Sequence, residues 1–404
     1  MKKLSQKKGE GEETMDNFTF YSPTYFVFGK GTENEAGHYV KRFGGHKVLI
    51  HYGGGSAVRS GLIDRVKASL EKEGLSYVVL GGVKPNPRSG LVYEGIELCR
   101  KESVDFILAV GGGSTIDSSK AIAVGTVYDG DFWDFYSGKA QAEKSLPVGS
   151  VLTIAAAGSE GSDGSVITNE NGMYKRAYGC ELMRPVFAIM NPELTMSLPP
   201  YQTASGCTDI MAHVFERYFT NTKEVEITDR LCEGVLKTII KELPKVLENP
   251  NDYEARANIM WAGTMAHNDI CGVGREQDWA SHNLEHELSA LYDCAHGAGL
   301  AVMFPAWMTY VMHHDVNRFA QFAVRVWGCE MNYQNPEETA KEGIARTKAF
   351  FHSVGMPTSF EELGAKEEDI PKLLETLQID GRTEGFFVKL GRKECEAVYR
   401  LACR

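Results

Sequence analysis

The sequence predicts an α/β half built on a parallel sheet, followed by an all-helical half. Three observations lead there. Short apolar runs alternate with amphipathic stretches from Phe18 to about Met196, two Gly-rich turns follow directly on such runs, and the pattern changes after Leu198-Pro199-Pro200. At 404 residues the chain is longer than a single hydrophobic core usually grows, so two domains are expected.

The strands and helices of the first half can be taken in order. Val48-Leu49-Ile50 leads into a Gly-rich turn and then Leu62-Ile63-Asp64-Arg65-Val66, a helical pattern. Tyr77-Val78-Val79-Leu80 is followed by the Pro85-Asn86-Pro87 loop and a helical stretch from Gly90 to Lys101. Phe106-Ile107-Leu108-Ala109-Val110 runs into a second Gly-rich turn, with a helix from Ser114. Continuous apolar strands alternating with helices indicate βαβ units and a sheet buried on both faces.

Beyond the prolines, apolar residues recur three and four apart over Thr228 to Leu247, Ala255 to Asn268, Trp279 to Leu291, Leu300 to Met312 and Pro336 to Val354. That period is helical. The expected organisation is an extension over residues 1–14, an α/β domain over 15–196 and a helical domain over 197–404.

Composition narrows the function classes. A net charge of −11 argues against a broad nucleic-acid surface, which needs clustered Lys and Arg. The nine cysteines include no CxxC pair, and their odd number fits a reduced, cytoplasmic setting. The Lys- and Glu-rich start, Met1 to Thr14, lacks the apolar core of a signal peptide, and no run of about 18 apolar residues suggests a membrane span.

The two turns point at phosphate groups. Gly53-Gly54-Gly55-Ser56 follows the strand ending at Tyr52, and Gly111-Gly112-Gly113-Ser114 follows the strand ending at Val110. Glycine lets a ligand approach the main chain, and a helix starting at once offers free N–H groups and a partial positive charge. A single such turn is equally well a tight strand-to-helix connection. Two at the carboxyl ends of strands in one sheet mark the edge where such sheets bind ligands. Neither reads GxGxxG or GxxxxGK[ST].

In the second half, Asp209 and His213 are four apart, as are His282 and His286, and His296 follows just before Gly297. Residues spaced i, i+4 share one helix face. One carboxylate and several imidazoles suit Zn or Fe(II) better than Mg or Ca. His313-His314 is expected at a solvent-facing helix end, whereas His38, His46, His51, His267 and His352 have no partner legible in the sequence.

Together these features resemble the iron-containing (group III) alcohol dehydrogenases, in particular the NADPH-dependent butanol dehydrogenase and broad aldehyde reductase branch. The resemblance runs from Met15 to Arg404. It is carried by Phe28-Gly29-Lys30-Gly31, the Pro-Asn-Pro loop, the segment 111–120, Gly158-Ser159-Glu160, Asn191-Pro192-Glu193-Leu194-Thr195, the Asp209 and His213 pair, the block from Asp278 to His296, and Leu390-Gly391-Arg392-Lys393 to Tyr399-Arg400. It implies a dehydroquinate synthase-like architecture and one metal, Fe(II) or Zn, held by Asp209, His213, His282 and His296. His286 would then be a non-ligand beside the nicotinamide, serving either in proton transfer or as a wall of the site.

The same resemblance assigns Gly111, Gly112, Gly113 and Ser114 to the pyrophosphate, with Asp117 and Lys120 at the start of the next helix. It places Asn86, Thr153, Lys175 and Thr195 toward the nucleotide. NAD-preferring relatives carry an Asp that aligns with Gly54. Here Gly53, Gly54 and Ser56 present only small groups, so NADP(H) is the expected cofactor. The family reads TTAGTGSE where this chain has Ile154 and Ala157, two hydroxyls fewer, and Ser162 stands where Asn is expected. The implied activity is hydride transfer between NADP(H) and small alcohols or aldehydes such as butanal, in a homodimer. Trp279, Phe304, Trp307 and Met308 are candidates for an apolar pocket or for plain helix core. A dehydroquinate synthase-like lyase would need Lys and Arg around its acidic substrate, and Trp279 to Pro305 contains neither. A non-catalytic nucleotide-binding relative would have little use for a buried carboxylate and three imidazoles.

Overall fold

Uninterrupted runs of β-branched and aromatic residues form the strands that the sheet buries. The computed structural model describes residues 14–404, so the expected extension lies outside the described residues apart from Thr14. The strands are β1 Tyr25–Phe28, β2 Lys47–Tyr52, β3 Ser76–Leu80, β4 Phe106–Gly111, β5 Val148–Leu152, β6 Gly164–Asn169, β7 Tyr174–Gly179 and β8 Phe187–Met190. Six of them make an all-parallel sheet in the order β1-β8-β5-β4-β2-β3. Every residue of β4 and β5 is buried, as expected for strands covered on both faces.

Alternate residues of one strand feed opposite cores. Val48, Ile50, Leu108 and Val110 pack with the helices Ala36–Arg42 and Leu62–Lys72. Leu49 and Ile107 pack with Ser89–Glu102 and Gly113–Thr126 on the other side. His51 belongs to this framework. Its Nδ1 lies 2.9 Å from the Leu80 carbonyl and its Nε2 2.8 Å from Ser118 Oγ, and burial lowers its pKa to about 4. It is a satisfied core histidine.

β6 and β7 form a separate antiparallel hairpin that the strand-helix alternation does not foretell. The buried ammonium of Lys120 holds it in place through the carbonyls of Ser159, Ser162 and Gly164 at 2.7, 2.9 and 2.8 Å, and through the hydroxyls of Ser159 and Ser162.

From Pro200 onward the chain is helical. Pro200–Tyr218, Glu226–Glu248, Tyr253–His267, Ala280–Tyr292, His296–Val311, Val316–Trp327 and Pro336–Ser353 include the five segments expected from periodicity, with ends shifted by a few residues. The largest core lies here, and Phe304, Trp307 and Met308 are fully buried within it. The pocket alternative is therefore corrected for these three: they are helix core.

Two close contacts set where the helices of this half stand. A Cβ on Gly206 would lie 2.3 Å from the Ala155 carbonyl oxygen, so helix Pro200–Tyr218 packs directly on the loop after β5. A Cβ on Gly297 would lie 1.9 Å from the Ser205 carbonyl oxygen, so the start of helix His296–Val311 meets the same helix backbone to backbone. Gly297→Ala forces main chain apart and is expected to cost about 1–3 kcal/mol, read as a lowered Tm in thermal denaturation. Gly234→Ala, where a Cβ meets nothing within 4 Å, is the control and is expected to match or exceed wild-type stability.

Candidate functional site

The two glycine turns form one cradle. β2 and β4 are paired neighbours with Tyr52 opposite Val110, so Gly53 and Gly111 leave the sheet side by side. Thr115 joins them: its Oγ1 would lie 3.5 Å from a Cβ on Gly53 and 2.4 Å from one on Gly111. Gly54 and Ser56 are exposed, and a side chain on Gly54 would meet no neighbour within 4 Å. Helix Gly113–Thr126 begins immediately, with its first N–H groups at the turn. Ile154, one of the departures from the family pattern, sits on this turn, its Cγ2 2.1 Å from where a Gly112 Cβ would be. Ala157 lies next to Gly113 in the same way at 3.7 Å.

The other residues expected at the nucleotide each have protein partners. Both oxygens of Asp117 are engaged, by Ser159 Oγ at 2.6 Å and the Val166 N–H at 2.8 Å. The Thr195 hydroxyl donates to the Pro192 carbonyl at 2.8 Å. Thr153 is half-buried, and its N–H is bonded to the Gly111 carbonyl. Asn86 and Lys175 bond each other and the helical half. The Lys175 ammonium donates to Asn86 Oδ1 at 3.0 Å and to Ser289 Oγ at 2.8 Å, while Asn86 Nδ2 donates to Asp293 Oδ1 and the Cys294 carbonyl.

The expected ligands converge from three helices. Asp209 and His213 lie one turn apart on helix Pro200–Tyr218, with Asp209 Oδ1 3.4 Å from His213 Nε2. His282 comes from helix Ala280–Tyr292, and its ring is 4.6 Å from that of His213. His296 is the first residue of the next helix, reached through the turn Asp293 to Ala295, with its Nε2 3.8 Å from Asp209 Oδ1. One ligand atom each of Asp209, His282 and His296 lies within 4.8 Å of the others, and His213, the fourth expected ligand, is outside that group.

The polar atoms of this cluster are orphaned in a way a cation would relieve. Asp209 Oδ1 and His282 Nε2 are buried without a hydrogen-bond partner, an expensive state for lone pairs out of water; on His213 the partnerless atom is Nδ1, and Nε2 is the one that faces Asp209. Burial and the nearby Glu285 push the Asp209 carboxyl up to about 8. Burial lowers His282 to about 3 and holds His213 and His296 well below the usual imidazole range. Three neutral imidazoles and one carboxyl with open lone pairs fit a divalent transition metal.

Glu216 is a member of the site that the ligand spacing does not announce. One of its oxygens, Oε1, faces His282 Nδ1 at 2.7 Å and accepts the His282 N–H at 3.0 Å, and the other accepts the Trp279 N–H at 2.6 Å. Accepting from Nδ1 leaves the His282 Nε2 lone pair aimed into the cluster. A signal does exist in the sequence, since Glu216 stands three residues beyond His213 on one helix face. Trp279 adopts a left-handed φ of 67° at the helix start, and its ring lies 5.2 Å from that of His282.

His286 lies one turn beyond His282, its ring 5.5 Å from that of His296. Neither of its ring nitrogens has a hydrogen-bond partner among the described residues, and burial keeps it neutral. His267 reaches the site as well. Its ring is 4.1 Å from that of His213, and its Nδ1 lies 2.9 Å from the Arg217 guanidinium, which can only donate. His313 and His314 are exposed, as expected.

Residues 23–192 match the family described as iron-containing alcohol dehydrogenase, and residues 203–403 match the C-terminal part of the Fe-containing alcohol dehydrogenase family. The chain is 43% identical over 388 residues to a probable NADH-dependent butanol dehydrogenase 2 of Bacillus subtilis, covering 96% of this chain and 99% of the relative. It is 38% identical over 373 residues to the NADPH-dependent aldehyde reductase YqhD of Escherichia coli, with 92% and 95% covered. The crystal structure of a butanol dehydrogenase A from Thermotoga maritima superimposes with a TM-score of 0.94 at 41% identity, covering 97% of this chain and all of that one. Among the described residues no helix is long and apolar enough to cross a membrane. The chain belongs to the iron-containing alcohol dehydrogenase family and is an alcohol/aldehyde oxidoreductase that works with a nicotinamide cofactor and a divalent metal of the iron type.

Proposed function

We propose that the protein transfers hydride between NADP(H) and small primary alcohols and aldehydes of the butanol and butanal kind, working mainly as an aldehyde reductase. The observation that carries this reading is the convergence of Asp209, His213, His282 and the half-buried His296, with open lone pairs on Asp209 and His282, beside an unpartnered His286. Those four residues would hold Fe(II) or Zn. When bound, the ion supplies Lewis acidity to the substrate oxygen and the nicotinamide gives or takes the hydride.

The protein's own groups do the rest. The joined glycine turns receive the pyrophosphate on main-chain N–H groups and leave no side chain in its way. His286 carries a proton on one ring nitrogen and a lone pair on the other, so it can pass a proton to or from the substrate oxygen.

Cofactor choice rests on Gly54. The relatives divide by name: the butanol dehydrogenases of Bacillus subtilis and Clostridium acetobutylicum are called NADH-dependent, and the E. coli aldehyde reductase NADPH-dependent. The loop favours NADP(H), because no carboxylate stands there to bind a ribose 2′-hydroxyl or repel a 2′-phosphate. The open space at Gly54 lets Gly54→Asp fold without strain.

Metal-free protein reloaded with Fe(II) or Zn should reduce butanal with NADPH faster than with NADH, and Gly54→Asp should raise the KM for NADPH at least tenfold while improving NADH. A preference for NADH in the unmodified protein would overturn the cofactor reading alone.

His282→Ala retains its circular dichroism but no longer holds stoichiometric metal. Unchanged metal content would sink the ligand set.

Metal uptake strengthens as pH rises toward 8, since Asp209 must give up its proton, by about tenfold per pH unit for one displaced proton. The sign for stability is opposite. A carboxyl raised from 3.8 to about 8 stabilises the metal-free fold at low pH, and this is lost as pH rises through 8. Above about pH 7.5 the histidines are mostly neutral in both states, so metal-free protein should lose Tm as pH rises from about 7.5 through 8 while loaded protein does not.

A further inference from the structure

We infer that Glu285, which is not one of the four ligands, is a positioning residue that orients His296 and sets the strength of metal binding. The inference rests on the ligand set proposed above.

Glu285 lies on helix Ala280–Tyr292 between His282 and His286, with its side chain fully buried. Its Oε2 contacts His296 Nδ1, the ring nitrogen remote from Asp209. With Glu285 ionised its carboxylate only accepts, so Nδ1 then carries the proton and the Nε2 lone pair is turned toward Asp209. Glu216 holds His282 in the same way from a different helix. Two of the three imidazoles thus each have Nδ1 against a buried carboxyl group.

The fold makes room for this group. A Cβ on Gly299 would stand 2.6 Å from Glu285 Oε1 and 2.7 Å from its Cγ, so the carboxylate occupies space that any other residue at 299 would take. Oε1 itself is buried without a hydrogen-bond partner, a cost that packing alone does not explain. The Lys175 ammonium, 3.8 Å from Oε2, is the nearest cation. Lys175 comes from β7 and also bonds Asn86, so Glu285 ties the orientation of His296 to the sheet half.

Glu285, His286 and His296 also lie close enough to one another to hold an ion themselves. The contact of Oε2 with Nδ1 argues for the positioning role instead, since that nitrogen is already taken. Glu285 then adds a negative charge beside the ion without filling a coordination position.

The test is a titration of metal-free Glu285→Ala and Glu285→Gln with Co(II) in competition with a chelator of known affinity, with far-ultraviolet circular dichroism as the fold control. Glu285→Ala should bind about 10–100-fold more weakly, the range seen when such outer partners are removed. The visible Co(II) bands should keep their shape, because the ligand atoms are the same. Glu285→Gln still offers a carbonyl to Nδ1 but lacks the charge, so it should fall between Ala and wild type, and it decides the matter if the Ala variant does not fold. Unchanged affinity in the folded variants would overturn the inference. So would a loss as complete as that of His282→Ala with altered bands, which would make Glu285 a ligand. Retention of metal by His282→Ala would instead overturn the ligand set on which the inference rests.

Discussion

The cost of keeping unpaired lone pairs out of water shapes the helical half of this protein. Asp209, His213 and His282 each present a buried polar atom that no protein group satisfies. Left alone, such atoms cost on the order of 1–3 kcal/mol each, so the surrounding helices must be held together by other means. The apolar core around Phe215, Phe219, Phe304 and Trp307 supplies that cohesion. Main-chain contact at Gly297 and Gly206 then fixes where the polar cluster stands relative to the sheet. The site is a local instability that a rigid apolar frame offsets.

The same frame keeps the two halves in register. The turn Asp293 to Ala295, which delivers His296, is held from the sheet half by Arg88 on Asp293 and by Asn86 on the Cys294 carbonyl. Asn86 has a left-handed φ of 52°, a conformation Asn tolerates better than most residues. On the other side, Gly158 has a φ of 65°, and a Cβ there would lie 2.6 Å from the Gly263 carbonyl oxygen. The loop after β5 therefore lies flush against helix Tyr253–His267. Nucleotide cradle and metal cluster are thus set relative to each other by backbone contacts and short polar links, as hydride transfer over a fixed distance requires.

The features legible in the sequence are those that local spacing encodes. The Asp209 and His213 pair, the His282 and His286 pair and both glycine turns are visible because helix and strand periods put their members together within a few residues. The β6–β7 hairpin escapes such a reading although Asn169-Glu170-Asn171-Gly172 is a turn signal, because it sits inside a region that reads as βαβ units. Glu216 and Glu285 escape it because a carboxylate on a helix is ordinarily a solvated group. Only the fold reveals that both are buried, one against His282 and the other against His296. The absence of Lys and Arg from Trp279 to Pro305 is also an incomplete view, since Lys175, Arg176 and Arg217 approach that helix from other elements.

Lys120 and Lys175 show how far burial alone is from function. Both are buried lysines, and both are expected near the nucleotide from the family pattern. Lys120 has five oxygens from the β6 side of the molecule around its ammonium, and burial lowers its pKa to about 8. With its donors saturated by main chain and hydroxyls, it is a fastener for the hairpin. Lys175 has two neutral partners, Asn86 and Ser289, and faces the Glu285 carboxylate at a longer distance. Its charge is directed at a group that in turn contacts His296. The hairpin that Lys120 secures carries Lys175 on its second strand, so the structural lysine positions the one that faces the site. A charge buried near chemistry acts through what it touches, and the two lysines differ in that respect alone.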